Sequence, residues 1–70
     1  MLFRSQEFKA GMIESYRDEI QFCQYDIALM TRIREGAVGE TLRLCNYFIG
    51  HNLLEIAEQK RELKRVRNEY

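Results

Sequence analysis

The sequence predicts an all-α protein: an antiparallel two-helix hairpin with coiled-coil-like packing, which we expect to dimerise into a four-helix bundle. Three observations favour this fold class. The 70 residues include no proline, apolar residues recur at heptad spacing, and one glycine-containing break divides the chain into similar halves. Because a chain of this length makes one small domain at most, we predict a single helical-hairpin domain over residues 1–70.

The break is the segment REGAVGE at residues 34–40. Gly36 suits the left-handed conformation that ends many helices, and Gly39 suits the start of the next helix. Ser5 is a candidate N-cap of the first helix. The predicted bounds are helix 1 over about 5–35, a turn over 36–39, and helix 2 over about 40–68. A short connection between two long helices favours an antiparallel hairpin over the alternative, one continuous helix.

Each helix carries an apolar seam of the heptad type. The seam residues are Ile13, Tyr16, Ile20, Cys23, Ile27 and Met30 in helix 1, and Leu42, Cys45, Ile49, Asn52, Ile56, Leu63 and Val66 in helix 2. We interpret the seam as the contact between the helices. Asn52 falls near Cys23 across the hairpin, and a buried Asn at such a position fixes register at a cost in stability.

A second apolar stripe follows the turn-proximal half of each helix. We call its residues the apolar patch: Phe22, Tyr25, Leu29 and Ile33 in helix 1, and Leu44, Tyr47, Phe48, His51 and Leu54 in helix 2. Roughly 140–150° separate this stripe from the seam on each helix, so a two-helix hairpin buries only one of the two. Soluble monomers rarely expose such a surface. We expect a second copy to cover it; another protein and burial within one chain are the alternatives.

The apolar patch indicates a small non-enzymatic protein-binding regulator, such as an inhibitor, an adaptor or a chaperone subunit. Exposed aromatic and aliphatic side chains at helical spacing are typical anchors of helix-in-groove recognition. Catalysis has little support, because the sequence lacks a Ser/His/Asp set and paired carboxylates. The expected partners are a second copy and another protein. No membrane partner is expected, because no apolar run approaches ~20 residues.

A basic cluster near the end of the chain indicates the alternative function, a nucleic-acid-binding hairpin dimer. The segment KRELKRVR at residues 60–67 supplies Lys60, Arg61, Lys64, Arg65 and Arg67, which could contact phosphates. Glutamates interleave with this cluster, and the chain has a net charge of zero. These two facts favour a solvated helix face over a phosphate-binding surface.

We expect no metal and no cofactor. His51 and Glu55 have the i, i+4 spacing of a ligand pair, but neither helix contains the Glu-x-x-His motif of diiron bundles. Cys23 and Cys45 are about seven residues out of step across the hairpin, so we predict buried thiols that form no disulfide. Two cysteines make no disulfide framework and the N-terminal segment lacks a signal peptide, which together predict a cytoplasmic protein.

Overall fold

A computed structural model shows two helices joined by a short turn. The first, α1, spans Leu2–Glu35, and the second, α2, spans Gly39–Glu69. The structure describes residues 2–69, with side chains from residue 6 onward, and this part of the chain contains no strand. The two helices lie against each other in a body of 56 × 15 × 12 Å. The all-α helical hairpin is therefore confirmed, whereas the four-helix bundle requires a second chain and stays a prediction.

The predicted seam forms the contact between α1 and α2. Every seam residue is buried or half-buried, and Val66 is fully buried. Hydrogen bonds between the helices confirm the antiparallel arrangement at both ends. Near the turn, Arg34 Nη1 donates to Asn46 Oδ1 over 3.2 Å. Near the free ends, Lys9 Nζ donates to the carbonyl oxygen of Arg67 over 3.4 Å.

The interior of the hairpin is small. Among the described residues, the buried apolar side chains are Cys23, Cys45, Leu63 and Val66. Two helices cover each other on one side only, so the rest of each helix surface faces outward. A single core in a chain of this size stabilises the fold by roughly 3–5 kcal/mol at most, so coverage by a partner would add substantially to stability.

The turn uses a different glycine from the one that the sequence suggests. At the end of α1, the Gly36 N–H donates to the Ile33 carbonyl over 3.3 Å, and the Ala37 N–H donates to the Arg34 carbonyl over 3.1 Å. Gly39 has a φ of 61°, whereas Gly36 has no positive φ. The prediction that Gly36 adopts the left-handed conformation is therefore wrong. Tight i→i−3 bonds already satisfy the last carbonyls of α1, and the left-handed residue is needed at the entry to α2.

The first helix also begins earlier than predicted. It starts at Leu2, so Ser5 lies within α1 and is not its N-cap. The first ten residues contain no glycine or proline. No residue there favours an end to the helical backbone, and α1 therefore extends beyond the predicted cap.

Candidate protein-binding surface

The apolar patch lies open on the surface of the hairpin. Its apolar side chains expose between 42% (Phe48) and 73% (Leu54) of their surface, and His51 is exposed as well. A single hairpin therefore does not bury both stripes, which removes the alternative of coverage within one chain. The sequence correctly separated the residues that pack between the helices from those that do not.

The antiparallel arrangement brings most of the patch to one side of the hairpin. In an antiparallel pair, the same flank of each seam faces the same side, and the helical spacing assigns each residue to a flank. We call this side the patch face; it carries Phe22, Leu29 and Ile33 of α1 and Leu44, Phe48 and His51 of α2. Tyr25, Tyr47 and Leu54 lie at its outer edges, farthest from the seam. The patch thus has a central apolar area bordered by aromatic and aliphatic side chains.

Three ring side chains of α2 contact one another within the patch. The rings of Tyr47 and Phe48 meet edge to face, with centroids 5.5 Å apart and planes at 77°. The rings of Tyr47 and His51 are stacked, with centroids 6.2 Å apart and planes at 9°. These contacts restrict side chains that already have few rotatable bonds. Binding a partner through them would therefore cost little side-chain conformational entropy.

A polar pair links the helices beside the patch. Asn52 is buried in the seam, as the sequence predicts, and its Nδ2 donates to Asp26 Oδ2 over 2.8 Å. A hydrogen bond to a carboxylate is stronger than one between neutral groups. Because sliding one helix by a turn would separate these two side chains, the pair sets the register of the hairpin. Heptad spacing puts Asp26 next to the seam, but it does not specify this bond.

Carboxylates continue the patch face from the apolar patch toward the free ends. Helical spacing places five glutamates there, which we call the acidic row: Glu19 of α1 and Glu55, Glu58, Glu62 and Glu69 of α2. Burial, followed by the charges of Glu19, Glu55 and Asp26, raises the pKa of the Cys23 thiol. Glu19 belongs to α1 and Glu55 to α2, so helical spacing places carboxylates of both helices on this side.

Both cysteines are free thiols in the interior of the hairpin, as the sequence predicts. Since the pKa of Cys23 lies above its ordinary value, its thiol stays protonated and is a poor nucleophile. We therefore assign Cys23 and Cys45 a packing role.

The basic cluster does not form a continuous positive surface. Arg65 donates from Nη2 and Nε to Glu62 Oε2 over 2.8 and 2.9 Å, and from Nη1 to Glu69 Oε2 over 3.0 Å. The hydrogen bond and charge of Glu62, and then the charge of Glu69, raise the pKa of the Arg65 guanidinium. Arg65 is thus engaged by the acidic row.

The remaining basic side chains point elsewhere. Arg67 lines a shallow groove between the helices together with Arg17, Glu14 and Asp18, where acidic groups balance the basic ones. Helical spacing places Lys60 and Lys64 on the side of α2 away from the patch face, and Arg61 on its outer edge. The predicted phosphate contacts are therefore distributed around the helix instead of converging on one strip.

Three large apolar residues outside the predicted patch are also exposed. Phe8, Val38 and Leu53 expose 60%, 82% and 56% of their surface. Phe8 precedes Phe22 by two heptads and therefore shares its side of α1, a spacing that could have identified it. Val38 lies in the turn, and Leu53 lines a shallow groove on the surface of α2 together with Gly50 and the patch residues Tyr47, His51 and Leu54.

Two other kinds of site are absent from residues 2–69. This part of the chain contains no group of three or more His, Cys, Asp or Glu side chains that could hold a metal ion. Over the same residues, neither helix has a stretch that is long and apolar enough to cross a bilayer.

No protein family, curated protein or solved structure matches this chain.

Proposed function

We propose that this chain is a small, non-enzymatic, cytoplasmic protein-binding regulator that acts through the apolar patch, as an inhibitor, an adaptor or a chaperone subunit. The observation that carries the proposal is the exposure of the patch, 42–73% for its apolar side chains, on one side of a two-helix body. Charge is also sparse there: residues 44–54 contain no charged residue, and residues 20–31 contain only Asp26. Depletion of charge around exposed aromatic residues is typical of the centre of a protein interface.

The patch is large enough for a stable interface, which buries about 800 Å² on each partner. Phe22, Tyr25 and Tyr47 expose 66%, 69% and 65% of their surface. With roughly 200 Å² for each aromatic side chain, these three supply about half of the area required. The aliphatic members of the patch and Phe48 supply much of the rest.

A second copy of the chain is the first partner that we propose. Two patches packed against each other form an isologous interface and a four-helix bundle. Each hairpin gains apolar burial that its own small interior does not provide. A different protein that contacts the same side chains would compete with the second copy for the patch.

Self-association is tested by sedimentation or light scattering at micromolar concentration. The expected mass is twice the 8.4 kDa of the chain. Leu44→Ser removes a patch residue that is 51% exposed. We expect a loss of about 2 kcal/mol of association free energy, about 30-fold in the dissociation constant, because twofold symmetry places each substitution in the interface twice.

Leu53→Ser is the matched control for Leu44→Ser. Leu53 lies on the same helix, is 56% exposed and loses the same apolar group, but it stands on the opposite flank. Its dissociation constant should equal that of the unchanged protein. A monomer at micromolar concentration, or equal effects of the two substitutions, would contradict self-association through the patch.

Binding of a different protein is tested by affinity capture from the native host. Tyr47→Ala combined with Phe48→Ala removes the contacting rings, and we expect this variant to lose a partner that the unchanged chain and Lys60→Ala, on the side of α2 away from the patch face, both retain. A partner retained equally by all three proteins would show that the patch is not the docking surface.

Nucleic-acid binding remains a second candidate on one observation: Lys60 and Lys64 lie on a side of α2 away from the acidic row. The engagement of Arg65 by Glu62 and Glu69 weakens this candidate. Filter binding of duplex DNA and single-stranded RNA at low and high salt decides the matter. Binding at low salt that disappears in Lys60→Glu with Lys64→Glu would favour the alternative, and no binding at low salt would remove it.

A further inference from the structure

We infer that the second copy lies with its turn at the same end as the turn of the first, so that α1 of each copy packs against α2 of the other. This inference rests on the proposed self-association and deepens it, because it fixes the orientation of the partner. Two side chains on the patch face distinguish the possible orientations: the ring of Phe8 and the carboxylate of Asp26.

Twofold symmetry allows one patch face to pack on another in two ways. An axis parallel to the helices keeps both turns at one end and places α1 against α2 of the second copy. An axis across the helices puts the turns at opposite ends, and α1 then lies against α1 and α2 against α2. The apolar patch is covered in both arrangements when the patches are centred on each other, but the side chains that meet are different.

The uncharged surface of α1 on this side extends beyond the apolar patch. Phe8 and Ser15 precede Phe22 by two heptads and one heptad, so they share its side of α1. Phe8 is 60% exposed and lines a shallow groove together with Gly11, Met12 and Ser15. With the turns at the same end, the copies overlap along their full length and α2 of the second copy covers this groove. With the turns at opposite ends, the arms extend away from each other and leave Phe8 in solvent.

Hydrogen bonds within the hairpin show which residues lie level with each other: Lys9 with Arg67, and Asp26 with Asn52. An axis parallel to the helices preserves these levels between copies, so Phe8 lies beside Arg65 of the second copy. That arginine is already paired with two glutamates of its own helix. The phenyl ring therefore covers paired charges and leaves no isolated charge buried.

Asp26 opposes the arrangement with the turns at opposite ends. It is the one charged residue among residues 20–31, and it is half-buried. The patch on α1 runs from Phe22 to Ile33, so its centre lies next to Asp26. When α1 packs against α1 with the patches centred, the two Asp26 carboxylates come together inside an apolar contact. Like charges that meet in such a contact oppose association.

With the turns at the same end, Asp26 meets a histidine instead. His51 is the neighbour of Asn52 on α2, and Asn52 is level with Asp26. His51 of the second copy therefore lies level with Asp26, on the face that α1 contacts. An imidazole donates a hydrogen bond through a ring N–H in its neutral and in its protonated form. The carboxylate gains a donor in addition to the Asn52 amide, and this happens twice in each dimer.

Like charges meet in this arrangement where Glu19 lies beside Glu58 of the second copy. Both side chains are exposed, so water and salt screen their repulsion. The two Asp26 carboxylates of the other arrangement would meet inside the apolar contact, where screening is weaker.

Distances between spin labels test the orientation directly. Nitroxides at Asn68→Cys, near the free end of α2, should lie roughly 25 Å apart, the diagonal of four helices spaced by 8–10 Å plus two outward side chains. With the turns at opposite ends and the patches centred, the same labels lie about 60 Å apart, at 1.5 Å per residue. Labels at Val38→Cys lie within about 35 Å in both arrangements and report association alone. The native thiols, Cys23 and Cys45, are buried and should not react under native conditions.

The outcomes separate the two proposals. A separation near 25 Å at position 68 supports the orientation, and one beyond about 40 Å overturns it while leaving self-association intact. A particle of 8.4 kDa in light scattering overturns both.

Removing the ring of Phe8 tests the same orientation by affinity. Phe8→Ser should raise the dissociation constant by about 10-fold, because the ring leaves the interface twice. Leu53→Ser, off the patch face, is the control and should leave the constant unchanged. Equal constants for Phe8→Ser and Leu53→Ser would place the arms outside the contact and overturn the orientation.

A charge at position 51 separates the arrangements by the sign of its effect. With the turns at the same end, His51→Lys places an ammonium group beside Asp26 of the second copy, so the dissociation constant should fall several-fold at low salt. With the turns at opposite ends, α2 faces α2 and two ammonium groups meet, so the constant should rise. Ala57→Lys adds the same charge on the side of α2 away from the patch face and is the matched control. A rise for His51→Lys, or a change no larger than that for Ala57→Lys, overturns the orientation.

Discussion

The two halves of the hairpin differ in how much of their apolar surface the packing of α1 against α2 buries. In the arm, residues 6–19 and 55–69, Leu63 and Val66 are buried in the seam, and much of the remaining surface is charged. In the turn-proximal half, residues 20–54, the seam is filled as well, yet Phe22 remains 66% exposed. The arm leaves one large apolar side chain open, Phe8 with 60% exposure, whereas the turn-proximal half has a whole apolar face that a two-helix fold leaves uncovered. This difference in exposure supports placing the proposed binding surface in the turn-proximal half.

The largest expected change in the free energy of unfolding tests whether contacts in the seam are what stabilises the arm. Val66 is 0% exposed, so Val66→Ala should lower the free energy of unfolding by about 2–3 kcal/mol, from lost burial and the cavity that remains. Urea denaturation at a fixed protein concentration measures it. The affinity of the dimer should not change, because Val66 does not lie on the patch face. A loss of affinity similar to that of Leu44→Ser would remove the distinction between the two halves.

The next effect concerns the polar pair beside the patch. Asp26→Ala leaves the Asn52 amide buried without its acceptor, which should cost about 1–3 kcal/mol of unfolding free energy. Asp26→Asn keeps an acceptor oxygen and should cost less. Asp18→Ala, at an exposed position of the same helix, serves as the control in the same denaturation experiment. Equal losses in Asp26→Ala and Asp26→Asn would mean that the hydrogen bond does not hold the register.

Substitutions in the turn that joins α1 and α2 should change the free energy of unfolding by a smaller amount. Gly39 has a φ of 61°, which side chains rarely adopt, so Gly39→Ala should cost about 1–2 kcal/mol of unfolding free energy. Gly36→Ala should change it by no more than about 0.5 kcal/mol, because a Cβ there meets no atom within 4 Å and the backbone is not left-handed. Thermal unfolding of the two variants compares them. The reverse order would restore Gly36 as the left-handed residue.

The smallest effect compares one glycine from each half. A Cβ added at Gly11 or at Gly50 meets no atom of the hairpin within 4 Å. Since glycine within a helix is less stable than alanine by about 0.5–1 kcal/mol, Gly11→Ala and Gly50→Ala should each raise the free energy of unfolding by that amount. Sedimentation of both variants should show an unchanged dimer. Weaker association of Gly50→Ala alone would show that another molecule approaches α2 on that side.

Features that depend on residues close together in the sequence were predictable, and features that depend on distant residues were not. The seam and the patch were predictable because heptad spacing alone divides residues such as Cys23 from residues such as Phe22. The bond between Asn52 and Asp26 was not, because it depends on how two distant parts of the chain align. Arg65 forms ion pairs with Glu62 and Glu69, which lie three and four residues away. Heptad spacing shows that these pairs lie on a different side of α2 from Lys60 and Lys64 only when the position of the seam is known.

By itself the sequence determined that this protein is two helices with one shared seam and one uncovered apolar patch, since helical periodicity assigns each side chain to a side of its own helix. The tertiary structure decided which sides of the two helices face the same way. Only after α1 and α2 were placed antiparallel did Glu19 and Glu55 come together near Cys23, and only then did the acidic row lie beyond the patch. The reason is that the charges of two helices combine into one surface through their relative orientation, which no local pattern in either helix specifies.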